Sequence, residues 1–181
     1  MARVILVTGG CRSGKSAFAE QLALSCPGER RYIATCHVFD EEMAERVRRH
    51  KERRKADGWV TLEEECDLAG ALALCPAGSA VLVDCLTLWI NNLMYRAETE
   101  NRIFDEDAMN RACDRLEQQL RTMEGTVVFV LNEVGLGVVP ENALARRFRD
   151  CSGRCGQRIA ALAGEVWLTV CGIPVKVKGE K

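Results

Sequence analysis

The chain has 181 residues, enough for one domain with a sizeable core, and a formal net charge of −1. That balance provides no electrostatic footprint for nucleic acid or an anionic membrane surface, and no apolar run approaches the roughly 20 residues of a membrane span. The opening apolar stretch is too short for a signal peptide. The ten cysteines are therefore expected to be reduced thiols, some of them (Cys85 and Cys171) small hydrophobes inside apolar elements. No C-x-x-C occurs, and Cys151 and Cys155 sit four apart on an expected helix with no second pair, which argues against a structural metal.

In chain order, a strand over 3–8 runs into Gly9-Gly10-Cys11-Arg12-Ser13-Gly14-Lys15-Ser16, and a helix follows over 15–26. This is G-x-x-x-x-G-K-S in the strand–turn–helix context of a phosphate-binding P-loop. Its glycines let backbone N–H groups converge on phosphate oxygens, and the helix N-terminus adds a favourable dipole. Lys15 would reach the β- and γ-phosphates, and the Ser16 hydroxyl would hold Mg²⁺.

A second strand is expected over 31–35, then a helix over 40–56. Phe39, Met43, Val47 and His50 share one side of that helix at spacings of 4, 4 and 3. Around His50 stand Arg46, Arg49, Lys51, Arg53 and Arg54. Like-charge repulsion favours neutral imidazole there, and the cluster would attract a polyphosphate. A neutral imidazole beside bound triphosphate can act as base or as nucleophile; a histidine packed at a helix end is the plainer alternative.

A short helix over 66–74 precedes a strand over 80–84, whose last residue, Asp84, is the candidate second metal ligand; a cap for the following helix, 86–96, is the alternative. Residues 98–102 read as an exposed loop before a helix over 105–123. A strand over 126–131 then ends near Glu133, a rival acidic group. Glu133 opens an apolar loop with two glycines, 133–140, placed to line a substrate pocket at the strand ends. A helix over 141–163 and strands over 165–170 and near 174–178 complete the chain. Strands such as 127–131 are apolar at every position, as strands buried on both faces are. The alternation predicts a single α/β domain over 1–181, a P-loop NTPase fold with a mostly parallel, helix-covered sheet.

The P-loop, the run Tyr32-Ile33-Ala34-Thr35, the basic helix around His50, Trp59-Val60-Thr61-Leu62-Glu63, Asn132-Glu133-Val134-Gly135-Leu136-Gly137-Val138-Val139-Pro140 and Phe148-Arg149-Asp150 occur in this order. In this the chain resembles, over essentially its whole length, the bifunctional adenosylcobinamide kinase / adenosylcobinamide-phosphate guanylyltransferase family of cobalamin biosynthesis. The resemblance implies that GTP (or ATP) binds the P-loop, Gly9 to Ser16, and that His50 becomes covalently guanylylated. It also implies nucleotide contacts by Ala34, Thr35, Cys36, Lys51, Glu52, Arg53, Arg54, Glu63 and Asp84. Catalytic roles fall to His50 and Lys15, and metal roles to Ser16 and Asp84. Adenosylcobinamide and its phosphate become the expected partners, with a homotrimer in the cytoplasm. The chain departs from the family pattern at Cys11, at Gly156 and at Lys55-Ala56-Asp57-Gly58. A monofunctional small-molecule P-loop kinase, with His50 only binding phosphate, is the alternative enzyme. A non-catalytic nucleotide-binding switch is the alternative outside enzymes.

Overall fold

A computed structural model describes residues 1–36, 45, 48, 52 and 57–179. Seven strands form one sheet: β1 (Arg3–Gly9), β2 (Arg30–Ala34), β3 (Val60–Glu63), β4 (Ala80–Asp84), β5 (Thr126–Asn132), β6 (Glu165–Val170) and β7 (Ile173–Lys178). Their order is β3-β2-β4-β5-β1-β6-β7. All neighbours pair in parallel except the final β6–β7 hairpin. The helices are α1 (Lys15–Leu24), α2 (Leu68–Ala73), α3 (Leu86–Thr99), α4 (Glu106–Thr122) and α5 (Ala143–Leu162).

The continuous apolar strands are explained by a core on each face. Side chains alternate along a strand, so Val4, Leu6, Val127, Phe129 and Leu131 face one way, where Leu72, Ile90, Met109, Leu116 and Ile159 of α2 to α5 cover them. Ile5, Val7, Val128 and Val130 face the other way, onto Ala19 and Ala23 of α1 and onto Trp59. α1 is also tied to β6 by the edge-on packing of Phe18 against Trp167, with ring centroids 5.1 Å apart.

The expected elements are present within a few residues, with three differences. β3 was not expected: Val60-Thr61-Leu62-Glu63 is short and half-polar, and it pairs only with β2 at the edge of the sheet. Helix α3 runs on through Thr99, so Glu98 and Thr99 are helical; Ile90, Met94 and Ala97 extend its buried stripe, and Arg96 pairs with Glu100 at i,i+4. Cys171 is exposed and lies outside any apolar element. It and Gly172 form a two-residue hairpin turn with φ of 51° and 82°, the backbone twist that a tight β-hairpin prefers. Most of the expected 40–56 helix, with the His50 stripe, lies outside the described residues. Within it Glu45, Arg48 and Glu52 are helical, and Arg48 bonds both carboxylates at 2.7 and 2.6 Å.

Candidate functional site

The phosphate loop leaves β1 at Gly9 and enters α1 at Lys15. Gly14, at φ 92°, occupies the N-cap position and brings no side-chain cap. The first N–H groups of α1 therefore have no intrahelical acceptor and no capping oxygen, the arrangement that receives an anion. No acidic residue lies in the first turn to compete. The loop Cys11 to Ala17 surrounds a cavity of about 630 Å³. Lys15 is buried and its Nζ donates to Gly10 O at 3.0 Å, so the ammonium is folded over the loop where a bound phosphate would offer better acceptors. Ser16 is exposed at the helix start.

Two neighbours hold the loop. From β6, buried Thr169 places its Oγ1 2.8 Å from Ser13 Oγ and donates to Thr8 O at 3.2 Å. Because the Thr169 proton goes to Thr8, Ser13 is the donor of the other bond. From the β6–β7 turn, Gly172 N donates to Ser13 O at 2.9 Å. Gly9 has no room for a side chain: a Cβ there would stand 2.5 Å from Thr169 Oγ1 and 2.6 Å from Ser13 Oγ. Thr169 and Gly172 were not among the expected site residues. The one legible signal for Thr169 was a small hydroxyl inside an apolar strand.

The other expected contacts meet at the same edge of the sheet. Ala34 is level with Glu63 on one side and Asp84 on the other, and Cys36 follows, half-buried. Asp84 is level with Val130, which is level with Val7. β5 thus separates Asp84 from the P-loop strand, by two strand spacings, about 10 Å. Tyr32 Oη donates to Asp84 Oδ2 at 2.9 Å. The capping alternative is not realised, because the N-cap of α3 is Cys85 and no side-chain cap is made. Thr35 is wholly buried. Its Oγ1 donates to Cys85 O and accepts from Cys85 N, both at 2.8 Å, and its carbonyl accepts from Asn92 Nδ2 at 2.8 Å. Thr35 and Asn92 therefore fix the end of β4, and Asn92 was not foreseen. Burial, aided by the Asp84 charge, pushes the Cys85 thiol up to about 11. Among the remaining expected contacts, Glu52 is described only in its pair with Arg48; His50, Lys51, Arg53 and Arg54 lie outside the described residues.

Glu133 joins the loop after β5 to the P-loop, its N donating to Gly9 O at 2.9 Å. Its Oε1 accepts from Gly135 N at 2.5 Å. Residues 131–135 line a cavity of about 320 Å³ against α5. Beyond it Leu136, Val138 and Val139 are exposed. Of the loop expected to line a substrate pocket, Glu133, Val134 and Gly135 line this cavity.

The description "cobinamide kinase / cobinamide phosphate guanyltransferase" belongs to the family model, CobU, that matches residues 5–177 of this chain. The chain belongs to this family. Similar proteins include the bifunctional adenosylcobalamin biosynthesis protein CobU of Salmonella typhimurium, 46% identical over 97% of this chain and 99% of that protein. The protein of the same name in Escherichia coli is 42% identical over 97% and 99%. The Pseudomonas aeruginosa protein CobP is 42% identical over 97% of each chain. Among solved structures, an ATPase from the type III secretion system of pathogenic bacteria superposes with a TM-score of 0.56 at 11% identity. That match covers 92% of this chain and 50% of the ATPase, and it shows a shared fold alone. The family's match fits what the geometry provides: a phosphate loop, an acidic strand end one strand removed, and a separate cavity beside the loop.

Proposed function

We propose that the chain carries out both reactions its family is named for: phosphorylation of adenosylcobinamide on its aminopropanol hydroxyl, then GMP transfer from GTP to the resulting phosphate, giving adenosylcobinamide-GDP. The observation that carries this reading is the uncapped, acid-free P-loop in a chain matched to that family almost end to end.

In the first reaction, backbone N–H groups of the P-loop bind the triphosphate of GTP or ATP, and Lys15 exchanges Gly10 O for β- and γ-phosphate oxygens. The Ser16 hydroxyl and the Asp84 carboxylate are hard oxygen donors of the kind Mg²⁺ takes alongside phosphate. Bound there, the metal would neutralise phosphate charge. Tyr32 and Thr35 hold Asp84 in place. Catalysis is then mainly positioning and charge neutralisation. In the second reaction, a neutral His50 attacks the α-phosphorus of GTP. A P–N bond forms and the bond to pyrophosphate breaks, leaving GMP on the imidazole. The substrate phosphate then displaces the histidine and takes the GMP. Covalent catalysis divides one difficult transfer into two easier ones. Ala34, Cys36, Lys51, Glu52, Arg53, Arg54 and Glu63 contact the nucleotide in this scheme. The protein acts in the cytoplasm as a homotrimer. The exposed apolar side chains of Leu136, Val138 and Val139 in the loop after β5 and of Leu144 at the start of α5 support an interface there.

GTP labelled at the α-phosphate, followed by denaturing electrophoresis, tests the chemistry. Wild-type protein should carry an acid-labile label and His50→Ala should not, while GTP binding persists. A mutant labelled like wild type would overturn the assignment. Light scattering tests the assembly: a mass near one chain at a concentration giving full activity would rule out the trimer.

A further inference from the structure

The cavity between the loop after β5 and α5 contains polar groups that the fold does not use. Ser152 is 3% exposed, yet its Oγ finds no hydrogen-bond partner among the described residues. The same is true of Arg149 Nη1, whose sister Nη2 donates to Gly135 O at 2.5 Å. Both residues line the cavity, together with Glu133, Asn132 and Gln157. A buried hydroxyl and a buried guanidinium N–H without partners each cost stability, so a site that keeps them is built to receive something polar. Glu133 lines the same wall, so a bare anion is disfavoured. A primary carboxamide fits both characters at once. Its carbonyl accepts from Arg149 and Ser152, and its N–H groups donate to the Glu133 carboxylate. The position is also right, since Glu133 N is bonded to the first glycine of the phosphate loop.

We propose that this cavity is a subsite of the acceptor substrate, taking one of the primary carboxamide arms on the rim of the corrinoid. The inference rests on the cobinamide reading above. About 320 Å³ admits an arm and excludes the macrocycle. Holding an arm here anchors the corrinoid one residue from the phosphate loop, which limits the positions its aminopropanol hydroxyl can take before the γ-phosphate. Ser152 and Arg149 thus position the acceptor and take no part in bond making.

Ser152→Ala provides the test, because removing an unpartnered buried hydroxyl should leave thermal stability unchanged or raise it. KM for adenosylcobinamide phosphate should rise roughly three- to tenfold with little change in kcat, as for one lost hydrogen bond. Labelling by GTP alone, which needs no corrinoid, should match wild type. Ala160→Met, which fills the cavity from α5, should raise the same KM at least as much. Unchanged KM in both variants would overturn the subsite, and so would a marked loss of stability in Ser152→Ala, which would make the hydroxyl structural. A wild-type protein that took no label and converted no corrinoid would instead overturn the two-reaction reading.

Discussion

Thr169→Val isolates the link between β6 and the phosphate loop. Valine keeps the shape of threonine and removes one hydroxyl, which makes two bonds: from Ser13 Oγ at 2.8 Å and to Thr8 O at 3.2 Å. Thr169 is 2% and Ser13 8% exposed, so water does not readily replace the lost partner. Each neutral bond contributes about 0.5–1.5 kcal/mol net, and a stranded partner adds its desolvation cost. We therefore expect a loss of about 2 kcal/mol in urea unfolding with unchanged m. Ser13→Ala should cost about 1 kcal/mol, and the double mutant should fall short of the sum by about 1 kcal/mol, because both singles break the same bond. Titration calorimetry should show GTP affinity reduced roughly three- to tenfold in Thr169→Val, since the loop carrying the phosphate donors loses a lateral support. Strict additivity, or single-mutant stabilities within about 0.3 kcal/mol of wild type, would refute the relay Ser13 to Thr169 to Thr8.

On the proposal that one triphosphate site serves both reactions, Lys15→Ala should impair phosphorylation and self-guanylylation together; a variant that loses only the first would reveal two nucleotide sites. Gly9→Ala should abolish GTP binding, measured by calorimetry, since its Cβ would meet Thr169 and Ser13 at 2.5 and 2.6 Å. Hydrogen bonding from Arg3, against a smaller opposing effect of burial and with help from Lys176 and Trp167, holds the Glu165 carboxyl below its ordinary value of 4.5. A lowered carboxylate stabilises the fold above that ordinary value, and the contribution is lost as pH falls through the folded one. Unfolding at pH 7 and pH 3.5 should therefore differ less in Glu165→Gln than in wild type, and an equal difference would discount the pair.

The phosphate loop and the parallel sheet were legible because both are local. Glycine spacing marks the first, and runs apolar at every position mark strands covered on both faces. β3 was not, because an edge strand needs neither full apolarity nor length; only its pairing with β2 makes it a strand. Thr169, Gly172 and Asn92 escaped for a related reason. Each acts through contacts with residues far away in the chain, and its own neighbourhood does not say which residues those are. Thr35, expected as a nucleotide contact, follows Ala34 at the end of β2, yet its hydroxyl and carbonyl face Cys85 and Asn92, a distinction that depends on side-chain direction. Cys171 was misplaced because a two-residue turn between apolar strands looks, in one dimension, like a continuous apolar element.

The two reactions make opposite demands on one bound triphosphate. Phosphorylation needs an acceptor at the γ-phosphorus, and guanylylation needs a nucleophile at the α-phosphorus. A P-loop holds the β- and γ-phosphates by backbone donors and lysine, so the two electrophilic centres cannot exchange places within it. The acceptors must approach from different directions. The proposed subsite would supply one approach, past Glu133, where the loop after β5 is bonded to Gly9 and a cavity opens beside it. The edge formed by Ala34, Glu63 and Asp84 lies beyond β5 from the P-loop strand. In the proposed arrangement, a corrinoid anchored beside Glu133 would leave that edge to the nucleotide. One protein can then perform both transfers without rebuilding its phosphate site between them.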